Sequence, residues 1–295
     1  MDSINTFLTL KNETVGGEKT ISNLELFGCK PDDKHLRVLW MFPDVLSLHG
    51  GRGDMMALLR FATAAGIPME IRRIEALGDK IRLKKADMLY FCCGDLTCTP
   101  DIVKALRPLL PELKEFIAKG KVIIANGSSG AILAKTLTRL DGTVIEGLGL
   151  LGMHWKERTR VHGDDLWLNA MDGVEVIGNE IRLADITLDE GQEPFASVRY
   201  GRGNCGDGLE GARSGNVIYT GCLGPVLVRN PLLAMEYLKL GAKAAGIYVD
   251  PLRFIPDPED VEAETRGIQE SRAFIQKKIN SAKEKEKKSL KNFFK

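Results

Sequence analysis

The chain has 295 residues, 44% hydrophobic, 27% charged and 6% aromatic, a composition that excludes disorder and collagen-like repeats and fits an ordinary globular protein. Its 41 Lys plus Arg against 40 Asp plus Glu leave a formal charge of +1, so no molecule-wide field gathers nucleic acid or anionic lipid, and such a partner needs a local patch. The cysteines, Cys29, Cys92, Cys93, Cys98, Cys205 and Cys222, lack framework spacing, no leader is read at the start, and no apolar run approaches the ~20 residues of a membrane span. A reducing, cytoplasmic setting is expected.

Residues 1–35 contain short, partly alternating stretches at 6–10 and 21–26 and end in Lys30-Pro31-Asp32-Asp33-Lys34, which predicts an N-terminal extension made of a strand pair and a linker. A core domain is predicted over 36–250. It begins with an apolar strand at 36–42, a turn holding Gly50, Gly51 and Gly53, and a helix over 54–65 with Met55, Leu58, Leu59 and Ala62 at helical spacing. Strands follow at 69–74 and 87–92, then a helix over 101–119 carrying a Pro-containing stretch, then an apolar strand at 121–125 before Gly127-Ser128-Ser129-Gly130. Continuous apolar strands between helices predict a parallel sheet buried on both faces.

Residues 142–219 are richer in short alternating strands, at 174–177, 180–183 and 195–200, and predict antiparallel additions. The sheet pattern returns at 216–222, and a closing helix over 231–245 carries Leu232, Leu233, Met235, Tyr237, Leu238 and Leu240. A C-terminal tail over 251–295 follows, with Pro256 and Pro258 leading into a polar helix over 259–288 whose sparse apolar face is Ile268, Phe274, Ile275 and Ile279. Residues 277–295 hold eight Lys and two Glu. A solvated helix is the expected reading, ahead of a membrane-surface or nucleic-acid tail.

Three segments are more specific than a generic α/β pattern. They are Met41-Phe42-Pro43-Asp44 running through Gly50-Gly51-Arg52-Gly53-Asp54; Tyr200-Gly201-Arg202-Gly203-Asn204-Cys205-Gly206-Asp207-Gly208-Leu209-Glu210-Gly211; and Gly221-Cys222-Leu223-Gly224-Pro225 running through Arg229-Asn230-Pro231. In matching order they resemble the CobB/CobQ-type class I glutamine amidotransferases, nearest to the GatD-type subunits of lipid II isoglutaminyl synthase. The resemblance covers about residues 36–245. It implies an α/β fold, a flavodoxin-like three-layer sandwich with a mostly parallel sheet, to which the N-terminal extension and C-terminal helix are added. It also implies a family chemistry in which a Cys on a strand-to-helix elbow attacks glutamine, a His serves as base, and the ammonia passes to a synthetase.

Against that family pattern both catalytic groups are substituted. With Ile132-Leu133-Ala134-Lys135 in register the nucleophile position falls on Gly127, and a one-residue slip puts Asn126 there. Counting from Gly224-Pro225 puts the base position on Leu223. Loss of a nucleophile or its base costs about three to six orders of magnitude in rate, so a subunit without glutaminase activity is expected. The resemblance implies substrate-binding positions at Arg160, within Arg160-Val161-His162-Gly163-Asp164, and at Cys93, Gly94, Gly127, Ser128 and Asn204. For Arg160 a surface arginine at a turn remains an equal alternative.

No phosphate-binding Gly-x-x-x-x-Gly-Lys-Ser/Thr occurs, and Gly127-x-Ser129-x-Ala131 is a poor match to a serine elbow. Cys93 and Cys222 are candidates for a displaced thiol, and with Cys92 and Cys205 for a soft-metal site; small buried hydrophobes are the plainer reading. No cofactor and no metal are expected. Because this chain carries no ATP-dependent synthetase of its own, the resemblance implies a Mur-ligase-like synthetase as a separate partner, in cell-wall precursor modification. Two other functions stay open: an active subunit supplying ammonia for lipid II amidation through a displaced Cys, and a sensor or adaptor for glutamine or a related small molecule. No nucleic-acid partner is expected.

Overall fold

The computed structural model describes residues 13–15, 18–170, 173–254 and 258–293. A strand pair, β1 (Glu13–Val15) and β2 (Glu18–Ser22), comes first and joins the edge of the main sheet. The stretch 21–26, read as a strand, turns at Asn23 and becomes a 3-10 turn at Leu24–Phe27. The reason is the buried Asn23 amide: its Oδ1 accepts from the Met69 amide at 2.6 Å and its Nδ2 donates to the Ile67 carbonyl at 3.0 Å. The stretch 6–10 lies outside the described residues.

Next come β3 (Leu36–Met41), α1 (Gly51–Ala64), β4 (Met69–Ile74), β5 (Met88–Phe91), α2 (Thr99–Leu106), α3 (Leu110–Ala118), β6 (Val122–Asn126) and α4 (Gly130–Leu133). The single helix predicted over 101–119 is two, separated by a 3-10 turn at Arg107–Leu109. Pro108 and Pro111 explain the break, since each lacks an amide to donate and its ring crowds the preceding turn.

The intervening region forms a second sheet from β7 (Thr136–Thr138), β8 (Val144–Glu146), β9 (Met153–Ala170), β10 (Glu175–Leu188), β11 (Ala196–Tyr200) and β12 (Leu209–Glu210). Its order is β12-β11-β9-β7-β8 with β10 also along β9, antiparallel except for the β7–β9 pair. The antiparallel additions expected over 142–219 are here, but the stretches 174–177 and 180–183 belong to one 14-residue strand, bent by a bulge between Arg182 and Ala184. The chain then returns through β13 (Ala212–Ser214), β14 (Val217–Thr220), α5 (Val226–Arg229), α6 (Pro231–Ala244) and the 36-residue α7 (Pro258–Phe293).

Eight strands make the main sheet, in the order β1-β2-β4-β3-β5-β6-β14-β13. Its five central strands are mutually parallel and, counted along the chain, run 2-1-3-4-5, the flavodoxin-like arrangement. Side chains of a strand alternate between faces, and that alternation divides the core in two. Val38, Trp40, Tyr90, Cys92, Val122 and Ile124 pack with α1 and α6, whereas Leu39, Met41, Leu89, Phe91, Ile123 and Ala125 pack with α2, α3 and α4. Helices on both faces make the three layers, and they explain why these strands are apolar at nearly every position.

Candidate functional site

Ligands of such sheets bind beyond the carboxyl ends of the strands. There the chain places Cys93 after β5, Gly127 after β6 and Leu223 after β14, three neighbouring strands. Gly127 holds the sharp strand-to-helix turn with φ +59°, a left-handed conformation in which side-chain-bearing residues are strained and which catalytic elbows use to expose a nucleophile. A Cβ on Gly127 would stand 2.5 Å from Cys93 Sγ and 2.7 Å from Leu223 Cδ2. The space that a side chain at the elbow needs is therefore occupied by the two neighbouring side chains.

Ser128 closes the same region from the other side. Its hydroxyl accepts from the Gly94 amide at 3.1 Å, donates to the Gly94 carbonyl, and lies 3.6 Å from Cys93 Sγ. The Gly94 amide is thus already spent within the protein. Ser129 Oγ bonds the Phe91 and Asn126 carbonyls at 3.1 and 2.8 Å, tying the turn to β5 and β6. On the far side of the 93–94 segment, the Leu48 amide donates to the Cys93 carbonyl at 2.9 Å.

The thiols are unsuited to easy ionisation. Burial pushes the Cys93 thiol up, partly opposed by its hydrogen bonds from Ser128. Cys222 is fully buried and burial, with the nearby Glu210 carboxylate, raises it further. Cys92, facing α1, is raised by burial and by Asp54. Among the described residues no imidazole bonds a cysteine: His35 bonds the Asp33 carbonyl, His154 bonds Thr136 and Asp189, and His162 lies 3.3 Å from Glu180. Nor, among the described residues, is there a group of three His, Cys, Asp or Glu side chains placed to hold a metal ion.

Two buried polar networks back the site. In the first, Arg182 reaches Glu180 Oε2 at 3.0 Å and Glu210 Oε1 at 3.2 Å, with all three side chains withdrawn from solvent. Burial works against the guanidinium charge, but Glu210, Tyr219 and Glu180 outweigh it and raise the pKa. Glu210 also accepts from Thr220 Oγ1 at 2.9 Å and from the Gly221 amide at 2.6 Å. Gly221 must be glycine, because a Cβ there would overlap the Arg182 guanidinium. In the second network Asp54, on α1, accepts from the Leu227 amide at 2.7 Å and faces Asn126 and Tyr90. Burial raises its carboxyl to about 7.

Sequence reading singled out neither network. Asp54 stands in the quoted Gly-Gly-Arg-Gly-Asp stretch, read only as the start of the helix over 54–65. Glu180 and Arg182 occupy one face of a strand two residues apart, a signal that could have marked a buried pair.

Arg160 is exposed on β9, in the stretch opposite the bulge, and its carbonyl accepts from Arg158 Nε at 3.2 Å. Asn204 is fully buried, and its side chain holds Gly211 by two bonds, Nδ2 to carbonyl at 3.0 Å and amide to Oδ1 at 2.8 Å. It fastens the 201–211 turn. A cavity of about 600 Å³ opens elsewhere, between Val103 of α2, Arg107 of the 3-10 turn after it and Ile145 of β8.

A model of the CobB/CobQ-like glutamine amidotransferase domain matches residues 37–227. Over 243 residues the chain is 24% identical to subunit GatD of the glutamine-hydrolyzing lipid II isoglutaminyl synthase of Staphylococcus aureus strain N315, covering 82% of this chain and 98% of that one. Among solved structures it is similar to a glutamine amidotransferase, at TM-score 0.44 and 18% identity over 69% of this chain and 98% of that one. PurLQS from Thermotoga maritima is matched at TM-score 0.49 and 14% identity, over 72% of this chain and 97% of that one. With the domain model spanning most of the chain, and the elbow and both neighbouring loops inside it, this protein belongs to the CobB/CobQ-like glutamine amidotransferase family.

Proposed function

We propose that this chain is a GatD-like subunit that does not hydrolyse glutamine and that serves as binding and regulatory partner of a Mur-ligase-like, ATP-dependent synthetase in cell-wall precursor modification, working in the cytoplasm. The observation that carries the reading is the filled elbow. Cys93 and Leu223 stand 2.5 and 2.7 Å from the place of a Gly127 Cβ, so a side chain at the elbow has no room in the present packing, which supports the reading that the family's nucleophile and base are absent. Amide attack needs a nucleophile, a proton acceptor and free oxyanion donors. Here the Gly94 amide is bound to Ser128.

Hydrolysis through a displaced thiol is the competing reading. Cys93 and Cys222 are the candidates, and both are buried with their thiols pushed up, which lowers the thiolate fraction on which attack depends. The synthetase partner follows from the likeness to GatD, a named subunit of a synthase. Affinity purification of the tagged full chain from its native cytosol, with mass spectrometry of what accompanies it, tests that part. An ATP-dependent ligase at stoichiometric level is the expected result, and recovery of the chain with no such ligase contradicts it.

A further inference from the structure

The last helix is anchored in its middle and continues past its anchor. Ile275 is buried at 2% exposure. Lys278 Nζ bonds Asp164 Oδ1 at 2.8 Å and Asp165 Oδ2 at 2.6 Å and lies over the rings of Tyr200 and Phe274. Arg272 pairs with Glu175. Beyond Lys278, α7 runs fifteen more residues to Phe293, about 22 Å of helix at ~1.5 Å per residue. On this arm Lys283, Lys285 and Lys287 are exposed.

The arm's composition is one-sided. Beyond Lys278, residues 279–295 hold six Lys, two Glu and no Arg, while the rest of the chain carries a net negative charge. The same segment closes on Leu290, Phe293 and Phe294. In helical register Phe293 follows Ile275 by eighteen residues and Leu290 follows Ile279 by eleven, close to whole numbers of turns. Between them Ala282 and Glu286 stand in that register, so the face that seats the helix on the body turns apolar again at the end of the arm, at Leu290 and Phe293, beside the lysines.

We propose that this arm of α7 binds an anionic lipid surface. A basic helix with apolar residues in one register lies in the plane of a bilayer interface, and lysines near an anionic leaflet each add to the attraction. The absence of arginine favours lipid over nucleic acid. Arginine is the residue suited to bidentate phosphate recognition, whereas lysine ammonium groups are hydrated point charges suited to a diffuse field of headgroups. The negative remainder of the chain orients the molecule with the arm toward the surface.

The test is cosedimentation of the full chain with mixed phosphatidylcholine–phosphatidylglycerol vesicles and with pure phosphatidylcholine vesicles. Binding at least ~10-fold tighter to the mixed vesicles is expected, falling at least ~10-fold in the Lys283→Glu, Lys285→Glu, Lys287→Glu triple variant and at high salt. The variant's circular dichroism and melting temperature should match the parent, because these side chains are exposed. Equal binding to both vesicles, undiminished binding by the variant, or tighter binding to an RNA homopolymer than to the mixed vesicles would each overturn the proposal.

Discussion

The Cys93 thiol occupies the side-chain space of Gly127: its sulfur is 2.5 Å from where a Cβ on Gly127 would stand. Leu223 fills the remaining side at 2.7 Å. Gly127, Cys93 and Leu223 therefore form one packing arrangement of three residues at the elbow.

Gly127→Cys tests that packing. It forces a side chain onto a φ of +59° and into two neighbours, for an expected loss of about 2–4 kcal/mol. Adding Cys93→Gly should return at least ~1 kcal/mol of this by removing the overlap. Urea unfolding of the three chains reads both differences, and a Gly127→Cys chain as stable as the parent contradicts the filled site.

Asp54 gives a pH dependence with a definite sign. Burial holds its folded-state carboxyl near 7, against an ordinary value of 3.8, so the folded chain keeps this proton where the unfolded chain has lost it. Stability from this group is whole below the unfolded value and is lost as pH rises through about 7. Relative to Asp54→Asn, the parent should lose roughly 2–4 kcal/mol between about pH 4 and about pH 8. A pH-independent difference between the two chains in urea unfolding would show that the carboxyl is not held protonated.

The buried Glu180–Arg182–Glu210 cluster should be sensitive to loss of its centre. Arg182→Met leaves two enclosed carboxylates without their cation, which costs about 3–5 kcal/mol. Glu210→Gln keeps an acceptor for the Gly221 amide, and its NH2 can donate to the Thr220 hydroxyl oxygen once that hydroxyl turns, so it should cost less. Thermal melts of the two variants rank them, and the opposite order contradicts the role given to Arg182.

Thiol accessibility should divide the cysteines evenly. Cys29, Cys98 and Cys205 are partly exposed, while Cys92, Cys93 and Cys222 are buried. An aqueous disulfide reagent should titrate the first three in the native chain and the others only after unfolding. Fast native labelling of Cys93 would mean that the elbow opens in solution.

Much of the parallel core was legible because its strands are apolar on both faces and stand at regular intervals between helices. Gly127 and Leu223 could be placed by counting along motifs, but their contact could not. It depends on β5, β6 and β14 being neighbours in the sheet, although β14 is far along the chain. The strand β9 gave no readable period through Lys156-Glu157-Arg158-Thr159-Arg160-Val161-His162-Gly163-Asp164-Asp165, whose one aliphatic residue larger than alanine, Val161, is 60% exposed. Pairing with β10 holds it extended. The buried place of Arg182 was not legible because its second partner, Glu210, sits on β12, far along the chain.

The most direct test is intact-mass analysis of the purified chain after incubation with an electrophilic glutamine analogue, beside an active member of the family. The expected result is no glutamine-protectable adduct on this chain while the active relative is labelled. A glutamine-protectable adduct mapped to Cys93 or Cys222 would contradict the account and establish a working thiol in the filled site.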